Sequence, residues 1–291
     1  MTIKYSVRFY KDNEVRAIWD EENAKWRFSV VDVIWILNSE ENYSKNRNYW
    51  KYLKTKLKNE KSQVVSVTNQ FKLMAPDGKF RLTDALDSDG ILLLAKNFPN
   101  NNASDFLDWF LYSENSIDWQ SRKKAYALFE NNLIKDEDIW TIKSLKQIHA
   151  YLFWWLYEFA WKIRQRNISK WGFRFATAEF LGNTLHGIEK MPENTFDEIV
   201  NKYVEMNIAH PFMEGNGRTT RIRVDLIFKK KLKKCVDRSK IDKYEYLNAM
   251  IESVGNPIKI KTLLSEALTD KIEDRDIFMK GIDYSYYYEE E

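Results

Sequence analysis

Apolar and polar positions alternate from the first residues. "IKYSVRFY", "VRAIWD" and "WRFS", separated by the polar turns "KDNE" and "EENAK", predict short antiparallel strands. "VVDVIWILN" then reads as a buried helix. "KNRNYWKYLKTKLKNEK" reads as a basic helix with Tyr49, Leu53 and Leu57 as its apolar stripe. "SVTNQFKLMAPDGKFRLTDA" predicts a hairpin about Pro76, Asp77 and Gly78, because Pro presets φ and Gly supplies a positive one. Two helices, "SDGILLLAKNF" and "ASDFLDWFLYSEN", complete this α+β part. The polar run "SENSIDWQSRKK", which follows the Asn-rich Pro99–Ala103 loop, marks a boundary and divides the chain into 1–115 and 116–291.

Beyond that boundary the pattern is mainly α. "SRKKAYALFENNLI", "TIKSLKQIHAYLFWWLYEFAWKI", "ATAEFLGNTLHGIEKM", "TFDEIVNKYVEMNIAH", "RTTRIRVDLIFKKKLKK", "KIDKYEYLNAMIESVG" and "IKIKTLLSEALTDKI" all show helical periodicity. "RNISKWGFRFA" interrupts them as a small β-hairpin. The whole reads as a helical bundle with a short hairpin behind an α+β domain.

Composition narrows this only slightly. With 44% hydrophobic and 31% charged residues, the chain is that of a soluble globular protein. No stretch approaches the roughly 20 apolar residues of a membrane span, so no membrane partner is expected. The alternating N-terminus predicts no signal peptide. Its single cysteine, Cys235, excludes an internal disulfide and fits a cytoplasmic location. A net charge of +3 is too small to imply nucleic-acid binding by itself. Oligomeric state is open, and a homo-oligomer is compatible with this composition.

The chemistry concentrates in "NIAHPFMEGNGRTTRI", residues 207–222. Thr195 and Glu198 form a capping box for the preceding helix, and Pro211 ends it with His210 at its edge. A Gly215-Asn216-Gly217 loop then leads to a helix opened by Arg218, and free N–H groups at such a start bind anions. Arg218 and Arg221 stand three residues apart and could clamp one phosphate chain. Glu214 offers the single carboxylate that suits Mg²⁺. Asn216 can donate its amide to a phosphoryl oxygen. His210 has the pKa to take a proton from a hydroxyl near neutral pH. Phe212 is expected to anchor the loop, and His149 and His186 are expected to be structural. Base, metal ligand, anion nest and cation clamp together suit phosphoryl or nucleotidyl transfer.

"HPFMEGNGRTTR" resembles in full the signature of Fic-domain proteins, and the likeness extends over residues 116–291. The resemblance implies transfer of AMP from ATP to a hydroxyl side chain of a target protein. Carried over, His210 would be the general base and Glu214 the Mg²⁺ ligand. Gly215, Asn216 and Gly217 would form the anion hole, and Arg218 and Arg221 would bind the β- and γ-phosphates. Gly217 separates the sequence from the related Doc kinases, which have Lys there. Ile168, Ser169, Lys170, Gly172 and Phe173 fall where the family has its target-docking flap. A DNA topoisomerase is a target that the resemblance suggests.

The C-terminal "FMKGIDYSYYYEEE" can be read as a solvated acidic tail. It also resembles the family's inhibitory helix, Ser/Thr-x-x-x-Glu-Gly/Asn, over about 275–291, with Glu290 departing from the pattern. In that reading Ser285 and Glu289 form the inhibitory pair, and Glu289 takes Arg221 away from the γ-phosphate. Residues 1–115 resemble the BRO-type N-terminal domain of phage antirepressor-like proteins, which implies DNA binding. Arg47, Lys51, Lys54, Lys56 and Lys58 could meet phosphates or simply form a solvated face. Two other functions stay open: a transcriptional regulator whose Fic portion serves interaction, and an enzyme that removes AMP.

Finally, 11 Trp against 9 Gly is unusual. Trp35, Trp140, Trp154, Trp155, Trp161 and Trp171 stand where similar sequences have Gly, as a UGA codon read under the wrong table would produce. Arg223 and Arg238 could reflect a second reassignment.

Overall fold

A computed structural model describes residues 5–40, 42–75, 78–98, 101–130, 139, 141–170 and 172–289. Pro76, Asp77, Pro99, Trp140, Trp171 and Glu290 lie outside the described residues. The chain divides into two compact units, Met1–Ser116 and Ile117–Glu291.

In the first unit β1 (Tyr5–Tyr10), β2 (Asn13–Asp20) and β3 (Lys25–Ser29) lead into α1 (Val30–Asn38), α2 (Tyr43–Asn59) and α3 (Gln63–Ser66). The hairpin of β4 (Asn69–Met74) and β5 (Phe80–Leu86) follows, then α4 (Ser88–Ala95) and α5 (Asn101–Asn115). The strands form one antiparallel sheet in the order β1-β2-β3-β5-β4. Ser29 ends β3 and caps α1 through the Asp32 N–H, so strand passes to helix without a loop. Phe28, Ile34, Leu37, Phe106 and Phe110 meet in the core. One expectation for α2 needs correction: Tyr49 is 37% exposed, while Trp50 is buried beside Leu53 and Leu57. The Trp50 indole N–H donates to Asp84 at 2.7 Å, so the larger ring also brings a satisfied polar end inside.

The second unit contains α6 (Ile117–Glu130), α7 (Ile142–Phe153), a hairpin of β6 (Ser169–Lys170) and β7 (Phe173–Arg174), α8 (Leu181–Glu189), α9 (Phe196–Ala209) and α10 (Asn216–Leu232). After it come β8 (Cys235–Val236), α11 (Lys243–Glu252), α12 (Ile258–Glu266), β9 (Leu268–Thr269) and α13 (Arg275–Tyr287). Helix α10 is central and packs against α7, α9 and α13. An α+β unit followed by a mainly helical one with a short hairpin is the architecture that the apolar pattern predicted.

Two boundaries differ from expectation. The helix predicted across 141–163 stops at Phe153, whose carbonyl accepts from both Leu156 and Tyr157 as the chain turns. Trp161 then sits at φ 61°, a left-handed conformation that favours Gly. Helix α10 begins at Asn216, with left-handed Gly215 as its N-cap, two residues before Arg218.

Candidate active site

Helix α9 delivers His210. Both capping-box bonds between Thr195 and Glu198 are present, and His210 ends the helix in a left-handed turn at φ 47°. Arg164 holds that turn. Its guanidinium donates to the carbonyls of Arg166, Ala176, Ala209 and His210, and its own N–H reaches Pro211 O at 2.9 Å. One buried cation thereby ties the end of α9 to the base of the flap.

The His210 ring stacks on Phe175 at 3.7 Å, and its Nδ1 lies 3.0 Å from Asn207 O. A carbonyl only accepts, so Nδ1 carries a proton and Nε2 is the bare nitrogen of the neutral ring. Burial brings the pKa down to about 4, against the opposing pull of the Asn207 carbonyl. His210 is therefore neutral at pH 7 and able to accept a proton.

The loop after it is fixed from both sides. Phe212 is fully buried, as expected, and stacks on His149 at 3.8 Å. His149 accepts the Trp161 N–H at Nδ1 and meets Glu214 O with Nε2 at 2.9 Å, and burial lowers its pKa to about 4. It is structural, and it also props up the loop that carries Glu214. His186 is exposed on α8.

Asn216 departs from its expected role. Its amide nitrogen donates to Phe212 O and its amide oxygen accepts from Phe212 N, each at 2.8 Å. The side chain pins the loop through these two bonds, and Asn216 also lines the cleft. Gly215 needs its φ of 76°, and a side chain there would strike the Phe153 ring. Gly217 lies within the first turn of α10 and is required for space. A Cβ there would overlap Glu289 Oε1 and approach Arg221 Nη1 to 2.8 Å.

The two arginines separate, contrary to the expectation of a shared clamp. Arg221 lines the cleft beside His210, Glu214 and Gly217. Arg218 extends instead to Asp118 on α6 and to Glu214 Oε1 at 2.9 Å, over the rings of Phe153 and Tyr286. Residues three apart on a helix are rotated by about 60°, enough for the two forks to part.

Arg221 is already occupied. Its Nε donates to Ser285 Oγ at 2.8 Å, and its Nη2 donates to Ser285 O at 2.7 Å and to Glu289 Oε1. Glu289 follows the end of α13, and its N–H bonds to Tyr286 O at 2.9 Å. Burial alone would raise its carboxyl pKa, but Arg221 and Arg218 prevail and bring it down to about 2. Burial likewise opposes the charge on Arg221, and Glu289 outweighs it. A carboxylate thus sits over the first turn of α10, where N–H groups lack intrahelical acceptors.

The flap supplies Lys170 and Phe173, paired across β6 and β7, to the cleft. Ile168 continues the hairpin by accepting the Phe175 N–H at 3.3 Å, while Ser169 and Gly172 are exposed. Helix α11 forms the opposite wall with Tyr246, Leu247 and Met250, an apolar lining that the motif did not reveal. No group of three or more His, Cys, Asp or Glu able to hold a metal occurs among the described residues. Glu214 alone suits an ion completed by phosphate and water oxygens. No described helix is long and apolar enough to cross a membrane.

Of the proposed recodings, Trp154 and Trp155 are exposed and Trp35 is half-buried against Tyr43. Arg238 pairs with Asp225 through Nη2 at 2.9 Å and Nε at 3.2 Å. Arg223 donates to Ile139 O at 3.0 Å.

Among solved structures, the chain is similar to the BepC protein of Bartonella tribocorum, which holds bound AMPPNP. Identity there is 20%, with 53% of this chain and 87% of that one covered and a TM-score of 0.44. It is also similar to the FIC domain of Bep8 from Bartonella sp. 1-1C, at 17% identity, 54% and 86% coverage and a TM-score of 0.47. The protein adenylyltransferase VbhT of Bartonella schoenbuchensis is 30% identical over 151 residues, which are 47% of this chain and 31% of that protein. The chain thus matches about a third of the length of that relative. Residues 139–228, from the end of the segment before α7 into α10, match the model of the Fic/DOC family.

Proposed function

We propose that the second unit transfers AMP from ATP to a hydroxyl group of a target protein and that Glu289 restrains it. The observation that carries this reading is the carboxylate of Glu289 held between Gly217 and Arg221, beside a neutral His210 whose Nε2 is bare. That position is an anion site, and the chain's own acid holds it in place of a phosphate.

With Glu289 withdrawn, the Arg221 fork and the first-turn N–H groups of α10 bind the polyphosphate. The apolar wall of α11 takes the base of the nucleotide. His210 Nε2 accepts the proton of the target hydroxyl as its oxygen bonds to the α-phosphorus. The bond from that phosphorus to the bridging oxygen breaks, and pyrophosphate leaves. Glu214 would hold Mg²⁺, which supplies neutralising charge for the phosphates. Arg164 keeps His210 in place through the carbonyl groups around it. Incubating a lysate with ATP labelled at the α-phosphate compares Glu289→Gly with Glu289→Gly/His210→Ala. Label on protein should depend on His210, and equal labelling by both would overturn the assignment.

For the first unit, the exposed Arg47, Lys51 and Lys58 on α2 support electrostatic contact with nucleic-acid phosphates, with Lys56 exposed nearby. Lys54 is spent on Asp84 at 2.7 Å and is not available for this role. Duplex DNA retention that weakens steeply with salt, and is lost in Arg47→Glu/Lys51→Glu, is the expected result. Retention indifferent to that change would exclude α2 as the contact.

A further inference from the structure

Residues 162–174 carry Lys162, Arg164, Arg166, Lys170 and Arg174 and no acidic residue. Arg164 is buried and spent on carbonyls, while Lys162, Arg166 and Arg174 are exposed. Lys170 is intermediate, and its side chain reaches the cleft beside Phe173. Residues alternate across a strand, so Ser169 lies on the other face. The flap therefore presents positive charge along its edge and one cation inward.

That inward cation faces Glu289. Lys170 Nζ lies 3.8 Å from Oε2, while Oε1 of the same carboxylate accepts from Arg221. A single acid thus bridges the anion site and the flap. Among the described residues β6 pairs with β7 alone, which leaves a strand edge, with exposed Arg166 just before β6 and exposed Arg174 opposite Ser169 on β7.

We propose that the flap docks an extended acidic segment of the target, and that an Asp or Glu of this segment takes Lys170 away from Glu289. The proposal rests on the transferase reading and adds the charge of the substrate. A neutral segment on this edge would leave Lys170 with Glu289, and a basic one would in addition bring like charges together. An acidic segment meets the exposed cations and competes with Glu289 for Lys170. Docking then removes one of the two cations that, among the described residues, pair directly with the Glu289 carboxylate. By linkage, nucleotide and acidic segment strengthen each other's binding by the same factor.

The test uses the full chain and dye-labelled peptides of equal length, each with one Tyr flanked by Glu, Gln or Lys, read by fluorescence anisotropy. The Glu peptide should bind at least about fivefold more tightly than the Lys peptide. The advantage should shrink with added salt. Lys170→Glu should invert the ranking, and Lys170→Gln should reduce it. The Glu peptide should also raise the affinity of the wild-type chain for a labelled ATP analogue by about fivefold, but not that of Glu289→Gly. Equal binding of all three peptides, or an unchanged ranking in Lys170→Glu with a wild-type circular dichroism spectrum, overturns the proposal. Failure of Glu289→Gly to bind the nucleotide would instead refute the transferase reading, while the peptide ranking still decides the charge of the docking segment.

Discussion

Gly217 and Glu289 compete for one small volume. A Cβ on Gly217 would occupy the place of Glu289 Oε1, with Arg221 Nη1 the next atom at 2.8 Å. Gly217→Ala should therefore destabilise the wild-type chain by about 1–3 kcal/mol through overpacking. In Glu289→Gly the main obstacle is gone and Ala is the better helix former by about 1 kcal/mol, so the same change should be near neutral. A double-mutant cycle by denaturant unfolding measures the difference, and additive effects would refute the shared volume.

Removing the carboxylate itself should release Arg221 from its acid and leave it only the Ser285 bonds. Glu289→Gly is expected to bind an ATP analogue at least about tenfold more tightly than wild type and to transfer AMP faster. Isothermal titration gives the first quantity and labelled transfer the second. Unchanged affinity would mean that Glu289 does not compete with nucleotide.

The same release should be reachable from the far side of α13. Asp283 is fully buried, accepts from Tyr126 OH and lies 3.7 Å from Arg122 on α6. Asp283→Ala leaves Arg122 without that partner, at a cost on the order of 3–5 kcal/mol. It should loosen α13 and raise nucleotide affinity without altering a cleft residue. Hydrogen exchange should accelerate across α13 first, and uniform acceleration would point to global destabilisation instead.

Acid should weaken the fold in a defined window. His149 and His210 have folded pKa values near 4, below the ordinary 6.5, because burial disfavours their charged forms. Above pH 6.5 both states are neutral and nothing changes. Between 6.5 and 4 the unfolded chain takes up protons that the folded one refuses, so stability falls as pH falls. The Glu289 pairing is present above pH 4.5 and is lost as pH falls towards its folded value near 2. Thermal midpoints should drop from pH 6.5 to 4, less steeply in His149→Gln. An equal slope in that variant would contradict the assignment for His149.

Trp161 offers a check on the chain's excess of tryptophan. A bulky residue at φ 61° costs on the order of 1–3 kcal/mol, and its stacking on Trp154 at 4.2 Å returns about 0.5–1.5. Trp161→Gly should therefore be anywhere from near neutral to stabilising by about 2.5 kcal/mol. The buried Trp119, changed to Ala, should cost about 3–5 kcal/mol. Mass spectrometry of the native protein would read residue 161 directly.

Local signals in the sequence carried most of the fold. Alternation gave the strands, and Thr195 with Glu198 announced α9 because both capping bonds are made within four residues. Periodicity failed where an apolar run has no polar face, as from Phe153 to Trp161, where aromatic residues fit a turn as well as a helix. The expected start of α10, at Arg218, is also two residues late, although the helix is buried from Asn216 to Val224. That helix tolerates burial because Asn216, Thr220 and Arg221 find partners inside the unit. The motif placed His210 and Arg221 near one another, but it could not show that Asp118, a hundred residues away, would draw Arg218 aside. Nor could it reveal what Arg164 does, because its four acceptors are backbone carbonyls.

Arg221 and Glu289 belong to one chain, and this determines how the proposed restraint would respond to its surroundings. A tethered ligand has an effective concentration on the order of millimolar, set by the length and stiffness of its tether. Dilution does not lower it, and crowding by further copies does not raise it. Under the proposed function, nucleotide would compete with a constant local acid, and occupancy of the cleft would follow the ATP level and the state of the flap, whatever the abundance of the protein.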